Sequence, residues 1–212
     1  MPERLNGRAW KVRCLRKEAL GFESQRLRHD VGRTSGRRVP GPTRAGGDSE
    51  IIYLMLPAHY SFVTHWRIRA PLEEVWDEIF HVERWPEWWR GVESVKKIRP
   101  GNTQGAGALH EFIWKSKLPY RLTFEMETLR AERPRLIEGR SYGELEGKGV
   151  WRLEPDGDCT NLSYDWNVRT IVPWMNLLAP VLAPVFRWNH DLLMCAGEQG
   201  LKHRLERKAE ND

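Results

Sequence analysis

The sequence predicts an α+β domain in which a curved antiparallel sheet of seven strands wraps around one long C-terminal helix. Three observations support this prediction. Strand-like alternation begins at Tyr60, six further strand-like segments joined by short turns lie between 92 and 169, and a long helix-forming segment follows them. A sheet curved around a helix encloses a cavity, so this order of elements predicts an internal ligand site.

The first strand and the helix after it are predicted from two different periods. Apolar and polar residues alternate between Tyr60 and Arg69, which is the period of a half-buried strand. Pro71 suits the first position of a helix, and the apolar residues after it recur at the spacing of one helical face. They are Leu72, Val75, Trp76, Ile79 and Phe80. A second short helix is predicted at 85–89 and ends near Gly91.

The six later strands are predicted from alternating segments bounded by turn-forming residues. The turns at 100–102 and 155–158 combine proline with glycine and with asparagine or aspartate, which are residues that favour tight turns. Such short connections indicate an antiparallel meander. The predicted strands are 92–99, 108–115, 120–131, 135–142, 145–154 and 161–169.

The segment 170–186 contains no charged residue over seventeen positions. A membrane-spanning helix is one interpretation, but the run is at the short limit for spanning and contains three prolines. We therefore predict that it leads into the last helix, which continues to about Leu205. Pro180 and Pro184 should bend or restart that helix.

Residues 1–54 are predicted to be a basic, disordered extension, or to result from a start site placed upstream of the true one at Met55. Residues 1–50 contain twelve Lys or Arg and six Asp or Glu, whereas residues 51–212 contain 22 and 23. The N-terminal segment also lacks the hydrophobic periodicity that a core requires. The predicted ligand-binding domain is 55–207, with a tail at 208–212.

Several classes of site are excluded by composition and motif. A nucleic-acid reader carries its positive charge on the folded surface, whereas here the excess lies before the domain, so no nucleic-acid partner is predicted. Cys14, Cys159 and Cys195 lack the spacing of a zinc site, and no phosphate-binding, dinucleotide-binding or nucleophile motif is present. We therefore expect no metal and no cofactor, and we leave the catalytic residues unassigned. The absence of an apolar segment behind the N-terminal charges predicts a cytoplasmic protein.

A cavity wall is predicted from the inner faces of the strands. Gly149 and Trp151 share the inner face of one strand, where a glycine either lets another backbone approach, permits a sharp bend or leaves empty volume. The other strands place large apolar side chains on the same side. They are Trp66, Phe112, Trp114, Leu122, Phe124, Met126, Tyr164 and Trp166. These residues form either a packed aromatic core or a cavity wall, and their rigid rings favour the wall.

The polar end of the cavity is predicted on the last helix. Asn189 occupies a position where the helical period calls for an apolar residue, and His190 lies beside it. A buried amide needs a hydrogen-bond partner, which is either the sheet or a polar group of a ligand. The apolar stripe that Asn189 interrupts consists of Leu178, Val181, Val185, Leu192 and Ala196.

Five segments follow one another in an order that is typical of a known superfamily. They are APLEEVWDEI, WPEWWRGV, LPYRLTFEM, GELEGKGVWRLEPDG and RWNHDLLMCAGEQGL. Together they resemble the START/Bet v 1-like (SRPBCC) superfamily of the polyketide cyclase/dehydrase and lipid transport type. The resemblance implies a helix-grip fold, in which a seven-stranded antiparallel sheet grips the final helix and a hydrophobic ligand lies between them. Fold alone does not determine which ligand is bound.

Three functions follow from this reading. The leading interpretation is a protein that binds or carries a hydrophobic small molecule, such as a lipid, isoprenoid or polyketide, in an internal cavity. The alternative is a cyclase or dehydratase in which Tyr164, Asn189 or His190 orients a carbonyl or moves a proton. A partner-binding module without a small ligand is the third.

Membrane contact is a further hypothesis from the sequence. Tryptophan suits the interface between water and lipid, so the cluster Trp85, Trp88 and Trp89 and the uncharged run 170–186 are expected to flank the cavity mouth and touch membranes transiently. The oligomeric state is not predicted.

Overall fold

The computed structural model describes residues 58–117 and 120–210. The expectation of a disordered extension at 1–54 falls outside these residues. At the other end, the last helix reaches Ala209, so the predicted tail boundary at 207 lies inside its final turn.

Within the described residues, the chain forms a seven-stranded sheet, two short helices, one turn of 3-10 helix at Val82–Arg84 and one long helix. The strands are β1 (His59–Ile68), β2 (Val92–Arg99), β3 (Leu109–Lys115), β4 (Arg121–Glu132), β5 (Leu136–Gly143), β6 (Leu145–Asp156) and β7 (Cys159–Thr170). The helices are α1 (Leu72–Phe80), α2 (Trp85–Trp88) and α3 (Pro173–Ala209).

The sheet is an antiparallel meander closed by the first strand. Its strand order is β1-β7-β6-β5-β4-β3-β2, so each strand from β2 to β7 pairs with its neighbour in sequence. β1 pairs with β7, with Trp66 opposite Leu162. Short turns allow only neighbouring antiparallel pairs, and the predicted helix-grip fold with seven strands and two short helices after β1 is confirmed.

The last helix does not restart at either proline, which was one of the two outcomes predicted. One helix of 37 residues spans Pro173–Ala209, with no interruption at Pro180 or Pro184. A proline removes one backbone donor, but its φ angle is compatible with a helix, so the surrounding hydrogen bonds carry the helix through both positions. None of the described helices combines the length and the apolar composition needed to cross a membrane.

The buried face of α3 also differs from the predicted stripe. Leu178 is 42% exposed and Val181 is 75% exposed, whereas Met194, Leu201 and Leu205 are buried. These buried residues lie on a different side of α3 from the predicted stripe. Apolar residues occur on both sides of this helix, so the period alone did not identify the side that meets the sheet.

The C-terminal half of α3 is held by the two short helices. The indole Nε1–H of Trp89 donates a hydrogen bond to the Leu193 carbonyl oxygen at 2.9 Å. Arg204 lies 2.8 Å from Glu87 and 3.5 Å from the buried Glu78 carboxylate. These contacts fix the part of α3 that covers the sheet.

Candidate functional site

A cavity of about 150 Å³ lies between the inner face of the sheet and α3. Strands β1, β3, β4, β6 and β7, helix α2 and helix α3 all contribute to its wall. Most of the lining side chains are aromatic or aliphatic. The strand alternation explains this, because one side of every strand faces the helix and must be apolar.

Ten of the twelve predicted site residues line this cavity. They are Phe112, Trp114, Leu122, Phe124, Met126, Trp151, Tyr164, Trp166, Asn189 and His190. The remaining two, Trp66 and Gly149, do not line this cavity.

Trp66 does not line the cavity but packs against two rings that do. It is 3% exposed, and its ring centroid is 5.1 Å from those of Trp89 and Trp151. Both of those rings line the cavity. Trp66 therefore supports the wall as part of the packed core and is not itself a lining residue.

Gly149 is a site of close approach. A Cβ atom at this position would lie 2.5 Å from the Tyr164 hydroxyl oxygen and 2.8 Å from the Trp166 ring. The sequence offered the approach of another backbone as one interpretation of this glycine, but the groups that approach it are side chains. The Tyr164 phenol occupies the space that a side chain would fill, and burial raises the pKa of Tyr164. It is therefore a neutral hydroxyl at physiological pH.

Three polar atoms of the cavity wall are buried and have no hydrogen-bond partner among the described residues. They belong to the Tyr60 hydroxyl, Trp114 Nε1 and His190 Nε2. A buried polar group without a partner costs about 1–3 kcal/mol. Such groups are rare in folded proteins and indicate positions for the polar atoms of a ligand or water.

His190 is held in place by its neighbours. Its ring stacks on Phe62 with centroids 3.9 Å apart, and its Nδ1 lies 3.3 Å from Asp191 Oδ1. Stacking and the contact at Nδ1 orient the ring so that Nε2 remains available at the cavity.

Asn189 and Tyr120 add two further polar side chains to the lining. The Asn189 amide makes no hydrogen bond to another described residue, so a bond to the sheet, one of the two partners considered from the sequence, is not present there. Burial, followed by the nearby Glu144 and Tyr60, raises the pKa of Tyr120 to about 12. Tyr120 is therefore a protonated donor at neutral pH.

The predicted site residues left out twelve residues that line the cavity. They are Tyr60, Phe62, Trp85, Trp89, Tyr120, Leu145, Val168, Thr170, Met175, Phe186, Leu193 and Met194. Those on strands share the inner face of residues that were predicted, so alternation contained the signal. Those on α3 could be predicted only if the side of the helix that faces the cavity was known. The four-residue helix α2 is too short to show a period.

The family model described as polyketide cyclase / dehydrase and lipid transport matches residues 59–206. The chain belongs to this family. The match covers every strand and nearly all of α3. It confirms the resemblance to the START/Bet v 1-like superfamily, and this membership supports a ligand-binding or cyclase role.

Solved structures with the same fold are distant in sequence. The protein TTHA0849 from Thermus thermophilus has a TM-score of 0.61 and 16% identity, covering 70% of this chain and 99% of that one. A START superfamily protein from Mycobacterium smegmatis has a TM-score of 0.58 and 14% identity, with coverages of 71% and 99%. The Zhui aromatase/cyclase from a Streptomyces species has a TM-score of 0.54 and 14% identity, with coverages of 72% and 96%. A comparison with curated proteins gave no match.

Proposed function

We propose that this protein binds and carries a hydrophobic small molecule that has at least one polar group. The observation that carries this proposal is the pairing of an apolar cavity with three buried, unpartnered polar atoms among the described residues. An empty apolar core would gain nothing from such atoms, whereas a ligand with a matching polar group would satisfy them. The ligand class is a lipid, isoprenoid or polyketide-like molecule.

The size of the cavity limits what fits without movement. A closed apolar cavity of about 150 Å³ accommodates a molecule of the size of benzene. A lipid-sized ligand therefore requires part of the wall to move. Met175 and Phe186 belong to the wall and lie in the half of α3 that has exposed apolar side chains, so we propose that this half opens.

The Asn189→Leu variant tests the ligand-binding proposal. We expect it to weaken binding of the fluorescent fatty acid cis-parinaric acid by about tenfold, the equivalent of one hydrogen bond. Its melting temperature should hold or rise, since the amide makes no hydrogen bond to a described residue. Fluorescence titration and thermal denaturation measure the two quantities.

Trp188→Leu is the matched control, because Trp188 is the preceding residue of the same helix and does not line the cavity. It should leave binding unchanged. Early melting of Asn189→Leu with normal binding per folded molecule would instead make the amide structural and remove it from the site.

A cyclase or dehydratase is the second candidate function. The observation in its favour is the buried Nε2 of His190 at the cavity, which could exchange a proton with a bound carbonyl compound. His190→Gln separates the two functions, because it keeps hydrogen-bonding capacity but does not titrate near neutral pH. An enzyme would lose turnover of a polyketide-like substrate in this variant, whereas a carrier would still bind its ligand.

The membrane hypothesis changes in one part. Trp85, Trp88 and Trp89 are buried, so their rings pack in the core and offer little surface to a membrane. We propose that the exposed apolar face of α3 makes the contact during ligand exchange. Its side chains include Leu177 and Val181, which are well exposed.

We expect the double variant Leu177→Glu, Val181→Glu to slow transfer of a fluorescent lipid between phosphatidylcholine vesicles severalfold, because charged groups partition poorly into the membrane interface. Ile98→Glu is the control, since Ile98 is also exposed but lies on β2. Equal transfer by all three proteins would exclude membrane contact through this face.

A further inference from the structure

A second cavity of about 320 Å³ lies at the opposite end of the sheet from the exposed half of α3. Its rim includes Lys97 and the exposed loop residues Asn102 and Thr103, so it borders solvent. Its inner wall is shared with the apolar cavity. The shared residues are Trp85, Phe112, Met126, Trp151 and Tyr164.

His110 is the buried polar residue of this second cavity. It is 6% exposed, and its Nε2 has no hydrogen-bond partner among the described residues. The Glu83 carboxylate oxygen lies 3.6 Å from Nε2, which is too long for a hydrogen bond. Glu83 in turn forms an ion pair with Lys97 at the rim.

The two cavities follow one row of side chains along β3. His110, Phe112 and Trp114 occupy successive inward positions of the strand. Trp114 lines the apolar cavity, Phe112 lines both and His110 lines the second. A molecule that extends from Trp114 to His110 would span about 14 Å, since each residue advances a strand by about 3.4 Å.

The protonation states of the pair define what it can bind. Burial lowers the pKa of His110, and the nearby Glu83 only partly opposes this. Burial acts to raise the pKa of Glu83, but the hydrogen bond from Lys97 and the other local contacts outweigh it and lower that pKa. At neutral pH the pair is therefore an uncharged imidazole facing a carboxylate. In its Nε2–H tautomer the imidazole donates and the carboxylate accepts.

We propose that His110 and Glu83 form a second ligand subsite that binds the hydroxyl group of an apolar alcohol or phenol whose hydrophobic body lies along Phe112 towards the main cavity. A hydroxyl is the simplest group that fits both partners, because it accepts from Nε2–H and donates to the carboxylate. A methyl or ether group at the same place would leave one or both partners unsatisfied. This inference rests on the proposed function and adds the chemical class of the ligand.

Two probes of matched shape test the subsite, namely 2-naphthol and 2-methylnaphthalene, which differ by a hydroxyl in place of a methyl group. We expect the wild-type protein to bind 2-naphthol about tenfold more tightly, the equivalent of a charge-assisted hydrogen bond. His110→Phe should abolish this preference while keeping the affinity for 2-methylnaphthalene. His65→Phe, which alters an exposed histidine of β1, should leave the preference intact. Calorimetric titration measures the affinities.

A conservative variant and a spectroscopic measurement test the subsite independently, in case His110→Phe does not fold. His110→Gln should restore part of the preference, because its amide donates from a similar position. In the wild-type protein, the imidazole ¹⁵N resonance of His110 Nε2 should shift when 2-naphthol is added and stay in place with 2-methylnaphthalene.

Three results would overturn the subsite. The first is equal affinity of the wild-type protein for the two probes, which would indicate that only a water lies between His110 and Glu83. The second is a preference for 2-naphthol that survives in His110→Phe. The third is a preference for 2-naphthol that is lost in His190→Gln instead. Failure of the wild type to bind either probe would count against the proposed function itself and is distinguishable from all three.

Discussion

The Trp89→Ala variant is expected to lose about 3–5 kcal/mol of unfolding free energy, the range for truncating a large buried aromatic side chain. Trp89 is almost fully buried and packs against the rings of Trp66, Trp85, Trp114 and Trp151. Denaturant unfolding followed by circular dichroism measures the loss.

Two further variants separate the causes of this loss. Trp89→Phe keeps much of the ring but removes the hydrogen bond to the Leu193 carbonyl oxygen, so it should cost less than alanine and loosen α3 relative to the sheet. Trp188→Ala removes a partly exposed tryptophan from α3 and should cost under about 1 kcal/mol. Similar losses at positions 89 and 188 would contradict the central role of Trp89 in the core.

The Gly200→Ala variant is expected to destabilise the protein by roughly 1–3 kcal/mol through overpacking. A Cβ at this position would lie 2.8 Å from the Trp88 carbonyl carbon and closer still to its oxygen. Because the obstacle is backbone, α2 or α3 must move as a unit. Helix propensity alone would stabilise the variant, because it favours alanine over glycine by about 1 kcal/mol. A loss of unfolding free energy would therefore report the overpacking.

Gln199→Ala is the control for Gly200→Ala, because it changes the adjacent position of the same helix towards the better helix former. It should leave stability within about 0.5 kcal/mol of the wild type. A Gly200→Ala protein that unfolds at a higher denaturant concentration than the wild type would show that α2 and α3 are not in close contact at this point.

Trp89→Ala and Gly200→Ala both disturb the contacts that hold the C-terminal half of α3. The C-terminal half of α3 is locked by Trp89, the Trp88 backbone and the Glu78–Arg204 ion pair. The N-terminal half carries exposed apolar side chains such as Val181. We therefore expect the locked half to keep the cavity in shape and the other half to be the part that moves when ligand enters.

Local patterns were sufficient for the strands and for most of the cavity wall. Tyr164 and Trp166 on β7 alternate with Asp165 and Asn167 in the sequence, and both line the cavity in the structure. Alternation is reliable here because a strand has only two faces. Once one face is buried, the side of every residue in that strand is determined.

Local patterns did not identify the buried side of the last helix, because a helix can turn any of several sides towards the sheet. The last helix has apolar residues all around its N-terminal half, so its period allowed the stripe through Leu178 and Val181 as readily as the one through Phe186 and Leu193. Trp66 has the same alternation as the lining residues, but it packs against the rings of Trp89 and Trp151 and does not line the cavity.

The sequence by itself determined the helix-grip architecture, because strand alternation, turn residues and one long helix leave few other ways to bury the apolar faces. Tertiary structure decided which side of α3 meets the sheet and brought Glu83 to within 3.6 Å of His110. The two residues are 27 positions apart, on a one-turn helix and on a strand. No period within either element encodes their distance, because it depends on how the short helices pack across the end of the sheet.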